Sequence, residues 1–163
     1  MAGYSSKTLA AKLGLTALKA GVPARVVDAP ETLMRQARAE CPDVVLESQS
    51  FNLKIPPSVF LWCFCSLESE LKAVMPRLRK ALADDGQLWI SWPKKTSWKT
   101  MGLHPSGAIT EDAIRKHAFP QGLVDIKVCA VDEIWSGLKL VVRRENRRVK
   151  KEPRRPLKEL AEL

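Results

Sequence analysis

The sequence predicts an α/β chain, a doubly wound and mostly parallel sheet that closes on a terminal antiparallel hairpin. Three observations predict it. Apolar runs of strand length alternate with amphipathic stretches of helical period through most of the 163 residues. Two of those runs, VFLWCFC (59–65) and QLWISW (87–92), are continuously apolar, as in strands covered on both faces. Between them Leu67, Leu71, Val74, Leu78 and Leu82 recur at spacings of three and four, giving a helix with one apolar stripe. Strand, helix and strand in that order make a βαβ unit, and the rest of the chain can be layered around it.

In chain order, SSKTLAAKLGLTALKA (5–20) reads as a short helix with Leu9, Leu13 and either Leu15 or Leu18 inward. Gly14 ends its first part. Gly21 and Pro23 turn the chain into a first strand, 24–29. Pro30 opens the helix ETLMRQARAE, with Leu33, Met34 and Ala37 inward, and Cys41-Pro42 stop it. DVVLES (43–48) is a second strand, and residues 49–58, with Pro56 and Pro57, form a loop. In the central unit Ser66 is the expected N-cap. Glu68 and Glu70 suit the positive end of the helix, and Arg77, Arg79 and Lys80 suit its negative end. Pro76 is expected to kink or restart that helix, and Gly86 marks the following turn. Residues 92–107 read as a basic, aromatic loop. Thr110 caps a helix reaching His117 or Phe119, with Glu111 and Asp112 in its first turn, and Gly122 ends it. LVDIKVCAVDEIW (123–135) is a strand, Ser136-Gly137 the expected hairpin turn, and LKLVVRR its return. Residues 155–163 suit one last short helix.

The length fits one domain, residues 1–143, with a basic and flexible tail at 144–163. Net charge is +9, and residues 143–158 alone hold nine Lys or Arg against two Glu. A basic tail on a nearly balanced domain points to an acidic partner, nucleic acid first. No apolar run is long enough to span a membrane. The N-terminal MAGYSSKTLAAKLGL lacks the apolar centre of a signal peptide and reads as part of the fold. Cys41, Cys63, Cys65 and Cys129 match no zinc spacing, so they are expected as reduced thiols packed in a cytoplasmic protein.

The order of elements, together with the phrase MPRLRKALADDGQLWISWPKK, resembles a shortened class I S-adenosylmethionine-dependent methyltransferase, a Rossmann-like fold, over residues 20–143. At finer grain YSSKTLAAKLGL, VVDAPE, LWISWPKK and LVDIKVCAVDEIWSGLKLVVRR are similar to a bacterial family of small Rossmann-like proteins of unknown function. That second likeness implies a fold and no activity. Methyltransferases place a glycine-rich loop after the first strand, where backbone approaches the cofactor. This chain has Asp28-Ala29-Pro30-Glu31-Thr32 there, with no glycine and a proline that lacks an N–H. A phosphate-binding P-loop is absent, and Glu47 alone near the end of the second strand reads as a solvated charge.

Four stretches carry possible chemistry. Lys94, Lys95, Trp98 and Lys99 follow a central strand, where open sheets bind ligands, and lysines beside tryptophans suit phosphates and stacked bases. Asp132-Glu133 offers paired carboxylates, or simply a turn with Trp135 covering the sheet edge. His104 and His117 have no neighbouring nucleophile in sequence. The tail offers Arg143, Arg144, Arg147, Arg148, Lys150 and Lys151 to phosphates. The expectation is a degenerate, non-catalytic domain with no cofactor and no metal, binding an anionic ligand or nucleic acid through loop and tail. The alternative is a small methyltransferase holding S-adenosylmethionine by Asp28, Ala29 and the Cys65-Ser66 region.

Overall fold

The computed structural model describes residues 7–147. Its elements are α1 (Leu9–Leu13), β1 (Pro23–Val27), α2 (Glu31–Glu40), β2 (Val45–Gln49), β3 (Ser58–Phe64), α3 (Glu68–Ala81), β4 (Leu82–Pro93), α4 (Glu111–Ala118), β5 (Leu123–Ala130) and β6 (Trp135–Val142). Six strands form one sheet in the order β2-β1-β3-β4-β6-β5. β1 is parallel to β2 and β3, and β3 to β4, while β6 is antiparallel to both β4 and β5. The expected mixed α/β sheet with its terminal antiparallel hairpin is what forms. Arg148, Lys150, Lys151 and the helix expected at 155–163 lie outside the described residues.

The continuous apolar runs divide between two faces, because successive side chains of a strand point opposite ways. Leu61, Cys63, Leu88, Ile90, Leu138 and Leu140 meet Leu71, Val74, Met75 and Leu78 of α3 and Ile114 of α4. Phe60, Trp62, Phe64 and Trp89 meet Leu9 and Leu13 of α1 and Leu33, Met34 and Ala37 of α2. The two buried indoles find partners as buried N–H groups must. Trp62 Nε1 donates to Ser91 Oγ at 2.7 Å, and Trp89 Nε1 to the Leu13 carbonyl at 3.0 Å. The second bond fixes the short α1 to the central sheet.

Several local expectations change. The first helix stops at Leu13, where Gly14 takes a left-handed φ of 79°, and a separate 3-10 turn follows at Leu15–Ala17. Ser66 is not the cap of α3; the helix begins one residue later, and Glu70 performs the capping. α3 runs through Pro76 without restarting. Pro76 lies on the exposed side, so the carbonyl it leaves unpaired faces water. Burying Leu71, Val74, Met75 and Leu78 at ~1.5–3 kcal/mol each outweighs the ~3 kcal/mol cost of an interior proline. Ser136-Gly137 is not the hairpin turn. Both residues lie inside β6, and β5 ends at Ala130 rather than 135. The turn is made at 131–134 by Asp132, whose Oδ1 accepts the N–H groups of Ile134 (2.9 Å) and Trp135 (2.7 Å). Gly137 is needed in the strand for another reason: a Cβ there would stand 3.1 Å from Val131 Cγ2 and 3.3 Å from the Trp89 ring.

The parallel strands β2 and β3 are joined by residues 50–57 without a helix, although such crossovers ordinarily take a dozen residues or more. Ile55 is buried against the α3 layer, and the Arg77 guanidinium of α3 donates to the carbonyls of Phe51 and Leu53. A strap of extended chain thus passes over the sheet and is held down by the neighbouring helix.

Candidate functional site

In open α/β sheets ligands bind at the carboxyl ends of the strands, where the strand order reverses. Here that place lies between β1 and β3. It is bounded by Asp28-Ala29-Pro30 after β1 and by Cys65-Ser66-Leu67 after β3. A helix starts from each of these turns, so the backbone N–H groups at the two helix starts are the natural donors for an anionic or cofactor oxygen.

Those donors are largely consumed by the chain itself. The Glu70 carboxylate turns back over the start of α3, and its Oε1 accepts the N–H of Ser66 at 3.1 Å and of Leu67 at 3.0 Å. The Glu68 N–H donates to the Gly107 carbonyl at 2.9 Å. On the β1 side Asp28 holds a left-handed φ of 53°, which a side chain with its own hydrogen bonds tolerates best. Its N–H donates to the Gln49 carbonyl at 3.0 Å, and its Oδ2 accepts the Phe51 N–H at 3.2 Å. The turn after β1 is therefore tied to the start of the strap. Pro30 offers no N–H, and Glu31 places a carboxylate in the first turn of α2. Three carboxylates and two occupied helix starts do not fit the carboxylate or the ribose of S-adenosylmethionine. Glycine, which lets a cofactor approach backbone, is missing at the position that needs it.

Cys63 and Cys65 point to one side of β3 with their sulfurs 3.8 Å apart. Burial first, then the hydrogen bond and charge of Cys65 and the nearby charges of Asp28 and Glu70, pushes the Cys63 thiol well up. A buried, protonated thiol is neither nucleophile nor ready metal ligand. Among the described residues no group of three or more His, Cys, Asp or Glu could hold a metal ion. His117 Nε2 lies 2.9 Å from Glu68 Oε2, joining α4 to the start of α3. His104 Nδ1 lies 2.7 Å from Ser106 Oγ and accepts the Ser106 N–H at 3.1 Å in an exposed loop. Glu47 is ion-paired rather than simply solvated, since Arg25 Nε lies 3.1 Å from its Oε2 across the β1–β2 pair. A cleft of about 360 Å³ lies at the far end of the sheet, beside Leu18, Cys41 and Pro42, not at the crevice.

The basic residues fall in two places. Lys94, Lys95, Trp98 and Lys99 follow β4 at the crevice end. Lys95 and Lys99 are exposed, the Lys94 N–H donates to the Ile134 carbonyl at 2.7 Å, and the half-buried Trp98 donates its Nε1 to the Pro93 carbonyl at 3.1 Å. That indole is folded onto its own loop. Arg143, Arg144 and Arg147 follow β6, which runs antiparallel to β4 with Trp135 opposite Pro93. Arg143 stands eight residues beyond Trp135, on the order of 25 Å along the strand at ~3.3 Å per residue. Loop and tail root are thus at opposite ends of the sheet. The residues that sequence reasoning missed are Glu70 as the occupant of the α3 start, and Phe119. Glu70 is legible as the third residue of a helix beginning at Glu68, the position from which a glutamate reaches back to its cap.

The chain matches no protein-family model and no curated protein. Solved structures share its fold. Human N-acetylserotonin methyltransferase in complex with SAM is similar over 82% of this chain and 52% of its own, at 9% identity and a TM-score of 0.59. An S-adenosylmethionine-dependent methyltransferase from Clostridium acetobutylicum is similar over 82% of this chain and 88% of its own, at 9% identity and a TM-score of 0.54. The chain also spans 41% of LepI, crystallised with SAH and a substrate analogue, at 14% identity and a TM-score of 0.48. The fold is Rossmann-like and methyltransferase-like; at these identities the likeness concerns the fold alone.

Proposed function

We propose that this chain is a methyltransferase-shaped domain without methyl-transfer activity, whose excess positive charge binds nucleic acid. The observation that carries the first half is the Glu70 carboxylate seated on the Ser66 and Leu67 N–H groups, an internal anion where an external one would bind. The strained Asp28 supports it, because its hydrogen bonds pin the β1 turn to Phe51 instead of leaving it open. The second half rests on a net charge of +9 and on the concentration of Lys and Arg from 143 onward. Such charge meets phosphates without reading sequence and with a steep dependence on salt.

Calorimetric titration with S-adenosylmethionine and with S-adenosylhomocysteine tests the first half. No heat at millimolar ligand is expected. Micromolar binding of either would overturn it and favour a small enzyme that holds the cofactor by Asp28, Ala29, Cys65 and Ser66. For the second half, the purified chain should retain mixed RNA or DNA on a filter at low salt and release it as salt rises. Failure to retain either at low salt removes the nucleic-acid reading.

A further inference from the structure

The end of the sheet away from the crevice holds an exposed aromatic ring among cations. Phe119 opens the 3-10 turn that follows α4 and remains 41% exposed. The Arg143 guanidinium carbon lies 5.6 Å from the centre of its ring, a cation–π contact that holds the arginine against one face. Arg143 is fixed in turn, since its N–H donates to the Gly122 carbonyl at 2.9 Å. Beside it the 3-10 turn Arg144–Asn146 presents an exposed Arg144, and Arg147 Nε donates to the Val142 carbonyl at 3.4 Å. From α3 come the half-buried Arg79 and the exposed Lys80. Arg79 donates Nε to the Gln121 carbonyl (3.0 Å) and Nη2 to that of Asn146 (3.5 Å). Its Nη1 is buried with no acceptor among the described residues, a state that favours an arriving anion. The Glu145 carboxylate on this surface lies 3.9 Å from Arg143, at the limit of an ion pair.

We infer that this surface binds single-stranded nucleic acid, with Phe119 as the stacking platform for a base and Lys80, Arg143, Arg144 and Arg147 on the backbone phosphates. The inference rests on the proposed nucleic-acid binding and gives it a place. Sequence-tolerant binding of single strands combines cations that track the backbone with an accessible ring for the bases. This end of the sheet has both. The loop after β4 has exposed Lys95 and Lys99, but its ring, Trp98, is hydrogen-bonded to Pro93. A duplex keeps its base faces stacked internally, so an exposed ring discriminates in favour of a single strand.

The test is fluorescence anisotropy on the full-length chain, with a short labelled oligonucleotide as single strand and as duplex, across a salt series. Phe119→Ala should weaken single-strand binding roughly tenfold with the salt slope unchanged, because stacking displaces no counterions. Phe119→Trp should restore it. Arg144→Glu, at an exposed position, should lower affinity and reduce the slope by about one. A thermal melt of each variant separates these effects from misfolding. The site is overturned if Phe119→Ala and Arg144→Glu both bind as the unaltered chain does, or if the duplex binds as tightly as the single strand. If only Lys95→Ala and Lys99→Ala weaken binding, the chain still binds nucleic acid but does so at the loop after β4, and the Phe119 site is overturned. If the unaltered chain binds no oligonucleotide at low salt, nucleic-acid binding itself is ruled out.

Discussion

The carboxylate of Glu70 closes back on the backbone of Leu67, three residues earlier, at 3.0 Å. The cap position is a leucine, which has no oxygen to offer, so only the returning half of a capping box is present. Replacing Glu70 by Ala frees two helix-start N–H groups and should cost about 1–2 kcal/mol by urea unfolding. Glu70→Gln keeps an acceptor and should cost less. The same two variants, titrated with S-adenosylmethionine, should remain silent, because Asp28 and Pro30 still close the other side.

Asp28 makes a sharper test, because its left-handed backbone and its hydrogen bond have opposite requirements. Asn supplies an acceptor and tolerates the conformation, so Asp28→Asn should be nearly neutral. Glycine relieves backbone strain but loses the bond to Phe51, and the two effects should nearly cancel. Asp28→Ala suffers both penalties and should lose roughly 2 kcal/mol. Chemical denaturation of the three variants checks the order.

Trp89→Phe removes the donor that meets the Leu13 carbonyl and leaves a void between α1 and β4. A loss of about 2–3 kcal/mol is expected. Amide exchange of residues 9–13 should accelerate more than that of α3, since α3 packs on the other face.

The Glu68 carboxyl is held below its ordinary range, first by the hydrogen bond from His117 and then by that from Lys116. A carboxylate depressed in the folded state adds stability above its unfolded pKa and loses it as pH falls through the folded value. The window therefore lies below about pH 4.3, the free glutamate value. In acid titrations followed by circular dichroism, Glu68→Gln should flatten the stability loss in that window and leave the neutral plateau almost unchanged.

Much of the fold is legible in the sequence because burial on both faces writes itself plainly: VFLWCFC and LWISW can be little else than covered strands. Leu33, Met34 and Ala37 are likewise placed by period alone, and they are buried. The errors arise where one residue type serves two purposes. Gly137 looks like a turn residue and is instead a strand position that must admit Trp89 and Val131. Asp132, which looks like half of a catalytic pair, makes the turn. The candidate basic residues can be named from charge, but their separation depends on β6 reversing direction against β4, which no local pattern encodes. Phe119 reads in sequence only as a helix end; its exposure and its arginine are consequences of chain packing, not of spacing.

The strap at residues 50–57 also bears on how the chain finds its fold. Closing a loop costs about 0.6 kcal/mol more for each doubling of its length. A parallel connection of only eight residues brings β1, β2 and β3 together at less entropic cost than a helical crossover of roughly twenty or thirty would. The half of the sheet nearest the N-terminus is thus suited to early assembly. β4, β6 and β5, whose partners lie farther apart in sequence, would then dock against an existing template.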